Sequence, residues 1–288
     1  MSGDPYFGSV VLLCGFNGAD AATSTTDEAT AKAITFNGNA QLDTAQQKFG
    51  TASLLLDGSG DYLSLADASA WAFSGDFTIE LFVRYNSVTD AEFISQWTTS
   101  GTTAGFMFGR TAAGGLEFLF YNAASALQTV ARSWTPSAST WYHVCVDRSG
   151  NDFRLYVDGV MLGAKTTNSA IPRDAAQPLN IGRINHTTPR YLNGWLDEIR
   201  ITNGVARYAS DAGFTAPTAE FPRTGPPVVT DARITQVALE QWASVATAAT
   251  GRAKVWSGSA WALKPVKVWS GSAWVEKPLK VWNGSAWV

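Results

Sequence analysis

The sequence predicts an all-β chain: a jelly-roll sandwich of two sheets, then a short linker strand, then a C-terminal β-hairpin repeat array. Three observations carry this. Residues 141–163, WYHVCVDRSGNDFRLYVDGVMLG, alternate with period two on both sides of a polar turn. Tyr142, Val144 and Val146 oppose Trp141, His143 and Cys145; then Phe153, Leu155 and Val157 oppose Arg154, Tyr156 and Asp158. A hairpin apolar on both faces needs cover on both, which a sandwich provides. From Asp76 to Trp134, apolar runs recur roughly every ten residues with Gly and Ser between them, the rhythm of sandwich strands. Finally, six of the 12 tryptophans lie at the C-terminal end, in units repeating every 13 residues.

Taken in order, residues 9–16 (SVVLLCGF) form a nearly continuous apolar run suited to a central strand, and Asn17-Gly18 ends it. A polar Thr/Ala-rich loop follows. In KFGTASLLLDGSGDYLSL, residues 53–56 and 62–65 read as strands joined through Asp57-Gly58. Further strands are predicted at 77–85, 92–97, 105–110, 116–122 and 127–134. The hairpin at 141–163 closes on Asp158-Gly159, a two-residue turn signal. Strands at 179–183 and 195–202 complete the first domain, residues 1–222. Residues 223–227, rich in Pro and Gly, open a linker (223–252) that contains a strand-like segment at 232–242.

Residues 253–288 contain three copies of K-V-W-(S/N)-G-S-A-W. Each is expected to form a hairpin on a two-residue Ser-Gly or Asn-Gly turn, pairing Trp256 with Ser259 and Lys254 with Trp261. The tryptophans Trp256, Trp261, Trp269, Trp274, Trp282 and Trp287 would then lie pairwise on one face. About 35 residues cannot bury six tryptophans alone. This points to an assembly module, a homo-oligomer with a trimer favoured or a dock on another protein; folding back onto the sandwich is the alternative.

Several segments together resemble the laminin-G-like, concanavalin-A-like lectin fold: W-Y-H-V-x-V-x-R with L-Y-V-D-G, preceded by FTIELFVRYN and followed by LNIGR and GWLDEIRIT. F-N-G, F-G-x-x-S-L and D-G-x-x-D-Y-L near the start match as well. The resemblance covers residues 8–222. It implies that the closing strand lies beside the first, with Asp197 near the turn at Asn17. It also implies a structural Ca²⁺, with Asn17, Asp57 and Asp197 as candidate ligands; Asn17 in place of Asp would weaken such a site, and all three also suit plain turn or cap roles. The closing segment NGVARYASDAGFTAPTAEFP and the segment ARITQVALEQW further resemble tailed-bacteriophage virion proteins. That implies a non-enzymatic fibre, collar or decoration component, made in the bacterial host cytoplasm and displayed at the virion surface, with other virion proteins and a host-surface glycan as partners. A soluble carbohydrate-binding lectin is the alternative.

The residues themselves argue against several other classes. Residues 1–220 hold 13 Lys/Arg against 21 Asp/Glu, and residues 221–288 hold 8 against 3, so the two ends differ in sign of charge. The basic end is five lysines scattered among hairpins, which suits solvated strand edges better than nucleic acid. No run is long and apolar enough for a membrane span, and neither end reads as a secretory signal. Cys14 and Cys145 fall within predicted strands as small buried hydrophobes rather than a disulfide pair. With only two histidines, a zinc cluster has no ligand set. Glycoside hydrolysis needs two carboxylates ~5 Å apart in a retaining enzyme. None of the eight glutamates shows the E-x-D-x-x-E or E-x-D-x-E spacing of laminarinase-type relatives, and adjacent Asp197 and Glu198 should face opposite sides of their strand. Trp97, Arg110, Tyr121 and Trp134 are candidates for glycan contact, with core packing as the alternative for each.

Overall fold

The computed structural model describes residues 3–227, 252–256, 261–265 and 267–276. The chain forms two compact units, Met1–Pro227 and Val228–Val288. In the first unit the strands are β1 (Val10–Cys14), β2 (Thr35–Asn37), β3 (Gln41–Asp43), β4 (Ser53–Asp57), β5 (Tyr62–Leu65), β6 (Phe77–Tyr85), β7 (Ala91–Gln96) and β8 (Phe106–Thr111). They continue as β9 (Gly115–Tyr121), β10 (Leu127–Arg132), β11 (Trp141–Ser149), β12 (Asp152–Val157), β13 (Val160–Met161), β14 (Thr166–Thr167), β15 (Leu179–Ile181) and β16 (Asn193–Asn203).

Two antiparallel sheets result. The first runs β13-β12-β11-β6-β16-β4-β3, with β1 also on β16 and β14 on β12; the second runs β10-β9-β8-β7-β15-β5-β2. β1 pairs with β16, so the first strand does lie beside the closing one. β4 and β5, joined through Asp57-Gly58, lie in opposite sheets, so that turn carries the chain across the sandwich. At the other turn signal, Asp158 and Gly159 both have positive φ (49° and 78°), the type I′ geometry that matches strand twist, and Val157 pairs with Val160 across them.

The core between the sheets is aromatic and aliphatic. Phe77, Phe106, Phe108, Phe118, Phe120 and Phe153 are fully buried there beside Ile79, Leu81, Val144 and Val146. Phe77 stacks on Phe73, and Phe120 on Phe153. Both cysteines are buried and unpaired.

The outer face of the first sheet carries the other half of each alternating strand: Glu80, Phe82, His143, Cys145, Tyr156, Asp197 and Arg200, all buried. What buries them is the segment after β16. Tyr208 stacks on Phe214 with ring centroids 3.5 Å apart, and Phe214 lies edge-on to Tyr156 and His143. Phe221 packs beside Phe82, with the Arg200 guanidinium 3.8 Å from its ring centroid. The motif N-G-V-A-R-Y thereby gains a physical role. Tyr208 donates its hydroxyl to Glu80 (2.6 Å), and Arg207 reaches Thr202 (2.6 Å) and Asp4 (2.7 Å).

Glu80 is the hub beneath this strap. Its carboxylate accepts from Arg200 Nε (2.9 Å) and Tyr208, and it contacts His143 Nε2 (3.1 Å). Burial works to raise its pKa, but Arg200, His143 and Tyr208 outweigh burial and hold the carboxyl well below the usual carboxylate range. The strap continues past Pro222: Arg223 pairs with Glu198 and Glu28, and Asp4 N–H donates to Thr224 O (2.9 Å). A methyl group at Gly15 would meet the Arg223 guanidinium, so a larger residue there would displace that side chain from its pairing with Glu198.

Alternation fails at one place. Between Asp197 and Arg200 the β6–β16 register slips through a bulge, with Glu198 at φ 50°. Asp197 and Glu198 therefore do not face opposite sides. Asp197 accepts from the backbone N–H groups of Lys48 and Phe49, and Glu198 from that of Phe221; Phe49 and Phe221 both pack around Phe82 on the strapped side.

In the second unit, β17 (Arg252–Trp256) pairs with β18 (Trp261–Pro265), and β19 (Lys267–Trp269) with β20 (Trp274–Glu276). The hairpins exist, but their register corrects the expected one. Trp256 lies opposite Trp261 and Trp269 opposite Trp274, across four-residue loops rather than two-residue turns. In the second repeat the Ser270 hydroxyl donates to Ala273 O (3.0 Å) and accepts its N–H (3.1 Å), while Gly271 takes φ 97°; this side-chain clasp favours the longer loop. Directly opposed, Trp269 and Trp274 meet edge-on at 5.6 Å and are 52% and 64% exposed. Trp282, Trp287 and the segment at 232–242 lie outside the described residues.

Removing the Glu80 carboxylate leaves Arg200 buried without its main partner. Glu80→Ala should cost about 3–5 kcal/mol in urea unfolding of the sandwich. A loss below about 1 kcal/mol would show that the strap holds without its hub.

Candidate functional site

With one outer face sealed, the other becomes the place to look. On the second sheet, Phe36, Leu63, Leu65, Leu179 and Ile181 turn inward to the core, so their neighbours in sequence turn outward. Strand register aligns these outward residues into one row across the sheet: Thr35 opposite Ser64, Ser64 opposite Asn180, Asn180 opposite Ser95, then Ser95, Met107, Leu119 and Thr129 in turn. The row is polar over β2, β5 and β15 and largely apolar over β8 and β9.

The apolar end is covered. Ile184 packs with Trp97 and Met107, and Leu119 and Tyr121 flank them. Arg190 anchors this covering loop by pairing with Glu92, approaching Glu117 (3.9 Å) and touching the Met107 sulfur (3.5 Å). Burial drives the Glu92 carboxyl up, Arg190 only partly opposes it, and its pKa reaches about 8; burial raises Glu117 as well. Only a small pocket, about 130 Å³, remains between Trp97, Met107, Ile184, His186, Thr188 and Arg190.

The polar end is open. A groove of about 370 Å³ is lined by Thr35, Tyr62, Ser64, Pro178, Asn180, Arg183 and Asn185, among others, with no carboxylate in its lining. Arg183 follows Gly182, whose φ of 86° turns the chain out of β15. Its guanidinium lies flat over Tyr62, 3.4 Å from the ring centroid, and its Nε donates to Asn180 Oδ1 (3.3 Å). Its carbonyl accepts the Ser95 hydroxyl (2.8 Å), and Asn37 Nδ2 donates to Ser64 Oγ (3.1 Å). A guanidinium backed by an aromatic ring, amides and hydroxyls converge in a shallow cleft, a set able to bond the hydroxyls of a sugar.

The glycan candidates named from sequence fall elsewhere. Trp97 and Tyr121 do meet, at 5.1 Å, but Trp97 is buried beneath the loop. Arg110 is also buried, opposite Ala91 at the far end of β8 from Phe106. Trp134 packs against Tyr85 and Tyr142 at the core margin. These four do not form one surface. Tyr62, Ser64, Asn180 and Arg183 were missed, although alternation in YLSL and LNIGR already turns Tyr62, Ser64 and Asn180 outward.

The calcium candidates do not fit a cation. Asp197 and Asn17 hold the same loop, Asp197 by accepting the N–H groups of Lys48 and Phe49 and Asn17 by accepting that of Thr51 (2.6 Å), while Asn17 Nδ2 donates to the Glu220 carboxylate (2.8 Å). Asp197 Oδ1 lacks a hydrogen-bond partner, and burial raises this carboxyl to about 7, but Asn17 Oδ1 is already engaged. Asp57 lies opposite Asn193, at the other end of β4, where it caps Ser59 N–H (2.7 Å). Ca²⁺ needs 6–8 clustered oxygens, and among the described residues no three His, Cys, Asp or Glu side chains gather for a metal.

Glu92 supplies a pH test of this face. Its folded pKa, about 8 against an ordinary 4.5, lies above the unfolded value, so the stability linked to it is full below pH ~4.5 and is lost as pH rises towards 8. Thermal melts of the native chain should fall between pH 5 and 8, and Glu92→Gln should flatten that fall. Equal slopes in both would refute the assignment.

The comparisons agree with this architecture. No curated protein sequence matches the chain. Among solved structures, the binding domain of Paraclostridial Mosquitocidal Protein 1 superposes with a TM-score of 0.51 at 11% identity, covering 69% of this chain and 49% of that one. The botulinum neurotoxin serotype D binding domain gives 0.52 at 12% identity, with 69% and 49% covered. Thus the chain spans about half the length of these toxin domains. Domain 4 of AbnA, a GH43 extracellular arabinanase from Geobacillus stearothermophilus, in complex with arabinotriose, gives 0.51 at 18% identity, covering 69% of this chain and 94% of that domain. At such identities the likeness is one of fold. The laminin-G-like family model described as the Concanavalin A-like lectin/glucanases superfamily matches residues 57–209, more than half of the sequence, and the chain belongs to that superfamily.

Proposed function

We propose that this chain is a non-enzymatic structural and adhesion component of a tailed-bacteriophage particle, displaying a glycan-binding sandwich at the virion surface. The observation that carries the binding role is the contrast between the two outer faces: one is sealed by the chain's own strap, the other leaves Tyr62, Ser64, Asn180 and Arg183 lining an open groove. The absence of carboxylates from that lining supports binding without hydrolysis, since glycoside cleavage needs two of them. Glu92 and Glu117, which both reach Arg190, serve to anchor the covering loop. Domain 4 of AbnA, which shares this fold over nearly its whole length, is in complex with arabinotriose, and a botulinum neurotoxin DC binding domain that shares it over about half its length is in complex with SialylT. The phage assignment rests on the closing segment from Asn203 to Pro222, whose Arg207, Tyr208, Phe214 and Phe221 form the strap.

The Trp repeats are the proposed assembly module, joining copies of the chain, a trimer being favoured, or docking on another virion protein. Exposed Trp269 and Trp274 support this, since a paired indole surface left in water is a site for burial. Two measurements test the whole reading. Tyr62→Ala should weaken saccharide binding on a glycan array at least about tenfold; unchanged binding would move the site elsewhere. The full chain should sediment as an oligomer and a chain ending at Pro227 as a monomer, with Trp269→Ala/Trp274→Ala behaving like the truncation. Monomeric full chain, together with absence from purified particles, would overturn the virion role.

A further inference from the structure

Resting on the glycan-binding reading, the groove's chemistry can be narrowed: we infer that it selects saccharides bearing a carboxylate, such as uronic or sialic acids, through the free edge of Arg183. Three contacts fix this side chain before any ligand arrives. Tyr62 supports the guanidinium plane, Asn180 takes Nε, and Ser95 holds the backbone carbonyl. Nη1 and Nη2 have no hydrogen-bond or ion-pair partner among the described residues. A planar guanidinium with both terminal nitrogens free matches a planar carboxylate two bonds at a time, a fit a neutral hydroxyl does not reproduce; the shallow groove, with its single cation, suits the one negative charge of a sugar carboxylate.

The electrostatic setting points the same way. Residues 1–220 carry 13 Lys/Arg against 21 Asp/Glu, so the domain as a whole repels anions. Yet this groove holds one arginine and no acidic side chain. Most of the other arginines are occupied: Arg200 and Arg207 by Glu80 and Asp4, Arg154 by Asp211, Arg190 by Glu92, Arg223 by Glu198. Arg183 instead has a half-buried stacking platform and a neighbouring amide, neither of which neutralises it. Ser64 and Asn180 contribute hydroxyl recognition that any sugar would use; Arg183, backed by the Tyr62 ring, adds the charge discrimination.

The test compares acidic and neutral probes on the full chain. Isothermal titration with sialyllactose and oligogalacturonate, against lactose and a neutral galactose oligomer, should give at least about tenfold tighter binding for an acidic probe. Arg183→Gln should abolish that ratio, weakening acidic probes at least about tenfold more than neutral ones, with the melting temperature within error. Tyr62→Ala, which removes the support of the guanidinium, should lower the ratio as well. Equal affinity for acidic and neutral probes, or a preference that survives Arg183→Gln, overturns the carboxylate inference while the glycan-binding reading stands. A preference for sulfated lactose over sialyllactose also overturns it, in favour of a tetrahedral anion. Binding of no saccharide at all removes both.

Discussion

The fold depends on covering a sheet that is apolar and charged on its outer side. Strands β6, β11 and β16 bury their inward residues in the sandwich, but their outward residues include Glu80, His143 and Arg200, which no sandwich core can receive. Desolvated charges are tolerated only when they satisfy each other, and here they do so under a lid of aromatic rings. The strap from Arg207 to Thr224 is that lid, bonded to the sheet by Tyr208 and Arg223 and weighted by Phe214 and Phe221. Residues 207–224, which follow the last long strand, are thus structural, although they make no strand themselves.

Sealing one face gives the other its character. Among the described residues the second sheet has no equivalent strap; a short loop anchored by Arg190 covers its apolar end and stops before β5. What stays open is the stretch where outward positions are Thr, Ser, Asn and Tyr, residues that tolerate water and need no lid. Polarity along one transverse row therefore decides both where the loop lies down and where a ligand has room. Arg190 and Arg183, seven residues apart in one loop, divide these duties: the first is consumed by a buried glutamate, the second faces the groove.

Much of the sandwich was legible because its strands alternate cleanly. Phe77–Tyr85 and the β11–β12 hairpin could be read residue by residue, and Asp158-Gly159 announced its own turn. The bulge at Glu198 was not legible, since an extra residue in a strand leaves the local pattern looking regular while reversing which side the next residue faces. The groove was hidden for a different reason. Tyr62 and Arg183 meet only because β5 and β15 pair across the sheet, a long-range choice that neither segment encodes alone. Conspicuous aromatics such as Trp97 and Trp134 drew the reading instead, and they proved to be packing residues. In the repeats, the Ser-Gly pair suggested a tight turn, but the serine hydroxyl clasps a wider loop.

The hydrogen bond between Asp4 and Thr224 brings the two ends of the sandwich to one spot on the strapped side. Because Asp4 also pairs with Arg200 and Arg207, the residues ahead of β1 and those after β16 close over the buried charges together, like the two halves of a clasp. Loosening either half would admit water to the carboxylate and guanidinium groups that only their mutual pairing makes tolerable, so both ends of the sandwich must be in place before its outer face is sealed.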